Sequence, residues 1–215
     1  MNDDAAEKGD QMAIGNQRGR QLRHIVRINE EIKKVIATAF TINLMAMNAI
    51  FLAKRAGTAA LGFGVLSNEL RRFAIDLQKQ MAILSEMTYE SVSTVTALLK
   101  QARLNQMLER TLDVCEGLGR RLVEDALHSR LNDMLAGRQE QSDAVSRRLT
   151  QMIADTVQLV ELGSVLARSA KIEAAYGGGM SVSLTQVSSD FEQSISEIQG
   201  SLEKLTKHHL EESAA

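Results

Sequence analysis

The chain has 215 residues, 25 basic and 27 acidic, with no proline, no tryptophan, one cysteine and 3% aromatic residues. That length suits one domain with a substantial core, and a proline-free chain rich in Ala, Leu, Glu, Gln and Arg suits long uninterrupted helices. A net charge of −2 excludes a global pull towards nucleic acid or anionic membrane, and the single Cys115 excludes an internal disulfide and fits a reducing cytoplasm.

Residues 1–17 are polar, contain Gly9 and Gly15, and are expected to form a flexible N-terminus. Their acidic start does not read as a signal peptide. Arg18, Arg20, Arg23, His24 and Arg27 form a basic cluster. Such runs are usually solvated faces, and five cations are few for an acidic partner or a membrane surface. Next comes a seam of alternating 3 and 4 spacing: Ile25, Ile28, Ile32, Val35, Ala39, Ile42, Ala46, Ala49, Ala53 and Ala56. This is the a/d pattern that supercoils helices. The change from Ile/Val to Ala lets neighbouring axes approach more closely near the seam's end. Gly57 is placed to stop the helix in a left-handed conformation, with a turn at 58–62. Gly62 and Gly64 open the return helix, where Phe63, Leu66, Leu70, Phe73 and Leu77 resume the spacing of a helical hairpin. No apolar run is read as reaching the ~18 residues of a spanning helix.

Leu84, Met87 or Thr88, Ser91, Val95, Leu98 and Ala102 mark an inner face beyond the hairpin. Gly117 and Gly119 offer a reversal, and Gly137 a second one. Residues 122–176 are again helical, Gly177, Gly178 and Gly179 form the strongest breaker, and 180–209 reads as the last helix. Placing Gly57 over Gly178, an offset of 121 residues, reveals an internal repeat. The seam from Ile28 to Ala53 falls on Leu149, Ile153, Thr156, Val160, Gly163, Ala167, Ala170 and Ala174. Phe63, Leu66, Leu70 and Leu77 fall on Leu184, Val187, Phe191 and Ile198. The expected fold is therefore all-α: a long antiparallel four-helix coiled-coil bundle of two fused hairpins, 18–116 with its turn at 58–62 and 117–215 with its turn at 177–180. Both bends lie at one end, each of the two helices that link them running ~55 residues or roughly 80 Å. Seam residues do not decide between one chain pairing its own hairpins and a two-chain dimer. The unlike bends favour the monomeric pseudo-dimer.

The stretch 40–74 resembles the signalling hairpin of bacterial methyl-accepting chemotaxis proteins. Phe40, Asn43, Leu44, Ala46, Asn48, Ala49, Ala53, Arg55, Ala56, Gly57, Gly62, Phe63, Val65, Glu69, Arg71 and Ala74 match that family's pattern in one ungapped register. Leu52 and Thr58 replace family Glu residues, Ala60 a Gly and Leu61 an Arg, so the turn is more apolar. The second half is similar at Ala170, Ile172, Glu173, Ala174, Ala175, Gly178, Val187 and Asp190, with Ser169 and Tyr176 in place of the family Asn and Arg.

The resemblance implies a soluble, sensorless relative working in the cytoplasm, at polar receptor arrays, without membrane insertion, nucleic acid or cofactor. Its partners would be receptor signalling tips, a chemotaxis histidine kinase and a coupling protein. Carried over by residue, one contact face would be Phe40, Leu44, Met47, Asn48, Phe51, Leu52 and Arg55. A second would centre on Val65, and Glu69 would brace the hairpin by hydrogen bonds. An alternative is a helical-bundle adaptor that keeps the scaffold but binds another partner. Leu44, Met47, Phe51 and Leu52 either fill the core or form an interaction surface. A helix that is apolar beyond its seam on both sides favours the surface.

The family's adaptation sites pair Glu or Gln three residues after a small residue. Ser189, Glu192 and Gln193 have that spacing but sit beside a turn, and Glu30–Glu31 has Arg27 instead, so no methylation is expected. His208 and His209, beside Glu211 and Glu212, read as a frayed tail rather than a metal site. No phosphate loop, metal cluster or activated nucleophile is present, and no enzyme is expected.

Overall fold

Three glycines with positive φ set where the chain turns. Helix α1 (Asp3–Ala56) ends at Gly57, φ +72°; α2 (Leu61–Val114) ends before Gly117, φ +64°; α3 (Leu118–Ala175) ends before Gly178, φ +57°; α4 (Ser181–Ser213) closes the chain. A side chain in that left-handed region costs ~1–2 kcal/mol, which is why glycine occupies all three. The 3-10 turns Gly57–Ala60 and Gly178–Met180 bridge α1 to α2 and α3 to α4. Every regular element among the described residues is helical. Gly137 lies inside α3 and does not reverse the chain.

The structure, a computed structural model, describes the backbone of residues 3–213 and the side chains of residues 23, 25–94, 96–97, 100–101, 103–129 and 144–210. The side chains of segment 1–17, of Arg18, Arg20 and His24, of Val95, Leu98 and Ala102, and of Glu211 and Glu212 lie outside the described residues. The chain divides into two units, Met1–Glu86 with Thr150–Ala215, and Met87–Leu149.

In the first unit the seam residues Ile25 to Ala53 are buried, as are Ile153, Thr156, Val160, Gly163, Ala167, Ala170 and Ala174 of α3. Phe63, Leu70, Phe73 and Leu77 of α2 and Leu184, Phe191 and Ile198 of α4 complete this core. Leu66 and Val187 are half-buried. Helix α1 packs closely along α4, where the Ala-rich end of the seam leaves room for near approach. A Cβ on Gly64 would meet Ala53 at 3.3 Å, so α2 doubles back on α1. Lys171 Nζ donates to Glu192 Oε2 at 2.6 Å, and Thr150 Oγ1 is hydrogen-bonded to His209 Nε2 at 2.9 Å, so α4 runs back along α3.

The two halves share detail beyond the seam. Ser67 and Ser188, 121 residues apart and both fully buried, each donate to the carbonyl four residues earlier, at 2.8 and 2.9 Å. The bond satisfies a hydroxyl that would otherwise be stranded in the core. Large side chains trade places: Phe63 corresponds to Leu184, and Leu70 to Phe191. The sharpest trade is at Gly163, the counterpart of Ile42. Phe73 lies on it so closely that a Cβ there would stand 2.6 Å from the ring Cζ. Alanine in a helix interior normally gains ~1 kcal/mol over glycine, whereas overpacking a filled core costs roughly 1–3 kcal/mol. Gly163→Ala should therefore destabilise the chain by about 1–2 kcal/mol in chemical denaturation. Gly200→Ala, where nothing lies within 4 Å, should be neutral or stabilising. Equal effects from the two substitutions would refute the Phe73 fit.

Ion pairs contribute little to this fold. Lys33–Glu30, Arg72–Glu69, Lys79–Asp76 and Arg120–Glu124 are exposed and lie within single helices. Such pairs give ~0.2–1 kcal/mol, against ~1.5–3 kcal/mol for burying one large apolar side chain. Glu31 is the exception, being buried on α1. Its Oε1 accepts from Lys34 Nζ at 2.7 Å. Burial pushes its pKa up, but the hydrogen bond from Lys34, the nearby Ser201 hydroxyl and the charges of Lys34 and Lys204 prevail, and the net direction is downward from the ordinary 4.5. A carboxylate whose folded pKa is depressed stabilises the fold above its unfolded pKa and loses that contribution as pH falls through the folded value. Glu31→Gln should thus lose stability relative to the parent at pH 6–7, with the difference narrowing below pH 4.5. Thermal melts of both chains across that range check it, and a gap independent of pH would count against it.

One expectation is corrected here. Within Ile25–Thr94 an 18-residue window of mean hydropathy 1.9 is long and apolar enough to cross a membrane by length and composition alone. Residues 35–53 hold no charged side chain. Thr38, Thr41, Asn43 and Asn48 interrupt the purely apolar run, which is why the stretch escapes a search for unbroken apolar residues.

In the second unit, α2 ends with Cys115 N–H donating to Thr111 O at 3.0 Å, and the reversal at Gly117 follows. Met87, Thr88, Asn105 and Leu149 are the residues of this unit buried among those described, while Met107, Val114, Leu118 and Leu122 are exposed.

Candidate functional site

Helix α1 carries two apolar stripes. The seam faces inward, as above. The second stripe, Phe40, Leu44, Met47 and Phe51, has the 4/3/4 spacing that places side chains on one face, and these residues are 54%, 46%, 38% and 61% exposed. Both stripes follow from one sequence fact: between Val35 and Ala53 nearly every position is apolar, so burying one face leaves another bare. Asn48 and Arg55 are exposed beside the stripe, and Leu52 is half-buried. On α2, Val65 is exposed and Glu69 half-buried. Glu69 Oε1 accepts from Arg72 Nη1 at 3.1 Å on its own helix. Glu173 of α3 lies directly against Gly62 of α2, in the space a Cβ would fill.

The two turns adjoin. A Cβ on Gly178 would stand 3.7 Å from that of Ala59. Neither turn has a side-chain cap on its leading residue. Around them Leu61, Ile172, Tyr176 and Val182 are exposed. Helix α3 carries an exposed apolar stripe of its own, Leu162, Val165, Ile172 and Tyr176, with the charged Glu161 and Arg168 at the counterparts of Phe40 and Met47. This second stripe was missed in the sequence, although the 121-residue offset places Val165 and Ile172 on Leu44 and Phe51.

Charge is unevenly spread. Around the turns, residues 48–66 and 169–187 hold three basic residues, Lys54, Arg55 and Lys171, and one acidic residue, Glu173. Lys54 and Arg55 form no ion pair among the described residues.

The remaining candidates are occupied. Glu192 is engaged by Lys171, and Gln193 Nε2 donates to Glu197 Oε1 at 3.1 Å. His209 is buried against Thr150 rather than frayed. Among the described residues no group of three or more His, Cys, Asp or Glu is placed to hold a metal. Arg23 and Arg27 are exposed. A groove of about 930 Å³ runs between α3 and α4, lined by Val157, Leu202, Thr206 and Leu210 with Glu161, Glu203 and Lys207 at its margin. Comparison with protein-family models, with curated proteins and with solved structures finds no match.

Proposed function

We propose that this chain is a non-enzymatic, chemoreceptor-like signalling scaffold of the cytoplasm. Through its bend end it engages chemotaxis array components: receptor signalling tips, a histidine kinase and a coupling protein. In this reading the first unit is an antiparallel four-helix coiled-coil bundle in which one chain supplies both hairpins of a pseudo-dimer. The neighbouring turns, the shared 121-residue register and the one-sided fit of Phe73 on Gly163 support a chain that pairs with itself. Static light scattering should then give the mass of one chain at low micromolar concentration. A stable two-chain mass would defeat the pseudo-dimer.

The observation that carries the functional reading is the bare stripe of Phe40, Leu44, Met47 and Phe51, flanked by Asn48 and Arg55 in the register of the receptor hairpin. Exposed large side chains at heptad spacing contribute nothing to the core and fit a partner helix. Truncating an anchor of such a surface typically costs more than 1 kcal/mol of binding. Phe51→Ala should therefore weaken capture of receptor tips, kinase or coupling protein roughly tenfold in pull-down, with helicity unchanged by circular dichroism. Capture of none of the three by the parent chain would end this reading. The second reading, an adaptor for a different partner, is favoured by the exposed Leu61 and the uncharged Gly57–Ala60 turn, where the receptor family carries charge.

A further inference from the structure

We propose that the bend end of the first unit docks on an anionic lipid surface, seating an apolar rim among the headgroups and cations on their phosphates. This goes beyond the array reading and does not depend on it. The rim consists of Phe51 on α1, Leu61 and Val65 on α2, Ile172 and Tyr176 on α3, and Val182 on α4, all exposed. All four helices contribute, so the rim follows the end of the unit around both turns rather than marking one flank. A groove or helix of a protein partner covers one flank, whereas a fluid layer receives an end from every side.

Depth agrees with this. Phe51 and Ile172 each precede a turn glycine, Gly57 and Gly178, by six residues, roughly 9 Å of helix. Amphipathic elements enter the headgroup region to ~5–10 Å. The turn residues between, Thr58, Ala59, Gly178 and Gly179, are small and uncharged, so no bulky polar group opposes entry. Apolar and aromatic side chains with one wet end suit that interface.

Charge supplies the complement. The chain as a whole is acidic, yet residues 48–66 and 169–187, which form this end, carry three basic residues, Lys54, Arg55 and Lys171, and one acidic residue, with Lys171 engaged by Glu192. The acidic residue, Glu173, is folded onto Gly62. Lys54 and Arg55 stand within one helical turn of Gly57, between Phe51 and Leu61. Phosphate-rich surfaces attract such groups by about 1 kcal/mol each. Phe51, Arg55 and Val65 belong to both proposed surfaces, so lipid and array partners would compete for this end.

Flotation with vesicles tests the proposal, using the full chain with phosphatidylcholine alone or with 30% phosphatidylglycerol. The chain should float with the phosphatidylglycerol vesicles and be released by high salt. Lys54→Gln with Arg55→Gln should lower partitioning roughly 25-fold, about fivefold per cation. Leu61→Asp with Val182→Asp should lower it at least tenfold, with the circular dichroism spectrum unchanged. Tyr176→Trp, the only tryptophan in the chain, should shift its emission to the blue on phosphatidylglycerol vesicles and not on phosphatidylcholine. No flotation at low salt, equal flotation on both vesicles, or unchanged flotation in either double variant overturns the proposal and leaves the basic rim to an acidic protein.

Discussion

The contact between Phe73 and Gly163 constrains everything around it. A phenyl ring reaching from α2 onto the bare backbone of α3 demands that one half of the repeat lack the side chain its counterpart, Ile42, possesses. Two identical hairpins cannot meet that demand, because each would bring both an isoleucine and a phenylalanine to the same level. Packing at native density leaves no slack to absorb the extra volume. The halves have diverged together, and the neighbouring exchanges of Phe63 with Leu184 and Leu70 with Phe191 hold total volume while moving it between helices.

Given an interior settled by seams, the exterior becomes informative. Helix α1 is more apolar than one buried face requires, and its surplus appears as a regular stripe rather than as scattered residues. Single exposed apolar residues are ordinary on protein surfaces, whereas a contiguous periodic set is not. The stripe on α3 replaces Asn48 and Arg55 by Ser169 and Tyr176, and Phe40 and Met47 by Glu161 and Arg168, so the two outer faces differ in chemistry.

Much of this was legible beforehand. The 3/4 spacing from Ile25 to Ala53 marked the residues that the core buries, and the offset between Gly57 and Gly178 located the second hairpin's core position by position. Backbone chemistry explains this success: helical period and left-handed glycine are local properties. What was not legible depends on three-dimensional neighbours. Nothing in the spacing says that Glu173 lies against Gly62, or that His209 is covered by Thr150. The uncharged stretch 35–53 escaped notice because its Thr and Asn residues break the apolar run without lowering mean hydropathy below that of a spanning helix. The charge imbalance at the bend end was hidden by a whole-chain balance near zero.

The close packing of α1 along α4 joins the first helix to the last. During synthesis α1 emerges long before its neighbour exists, so its Ala-rich seam stays uncovered by α4 until α2 and α3 have also left the ribosome. Contacts of such long sequence separation form slowly, because the intervening chain must first be ordered. A product lacking α4 would leave the uncharged stretch 35–53 of α1 without the helix it packs along. Such fragments invite aggregation or clearance by quality control.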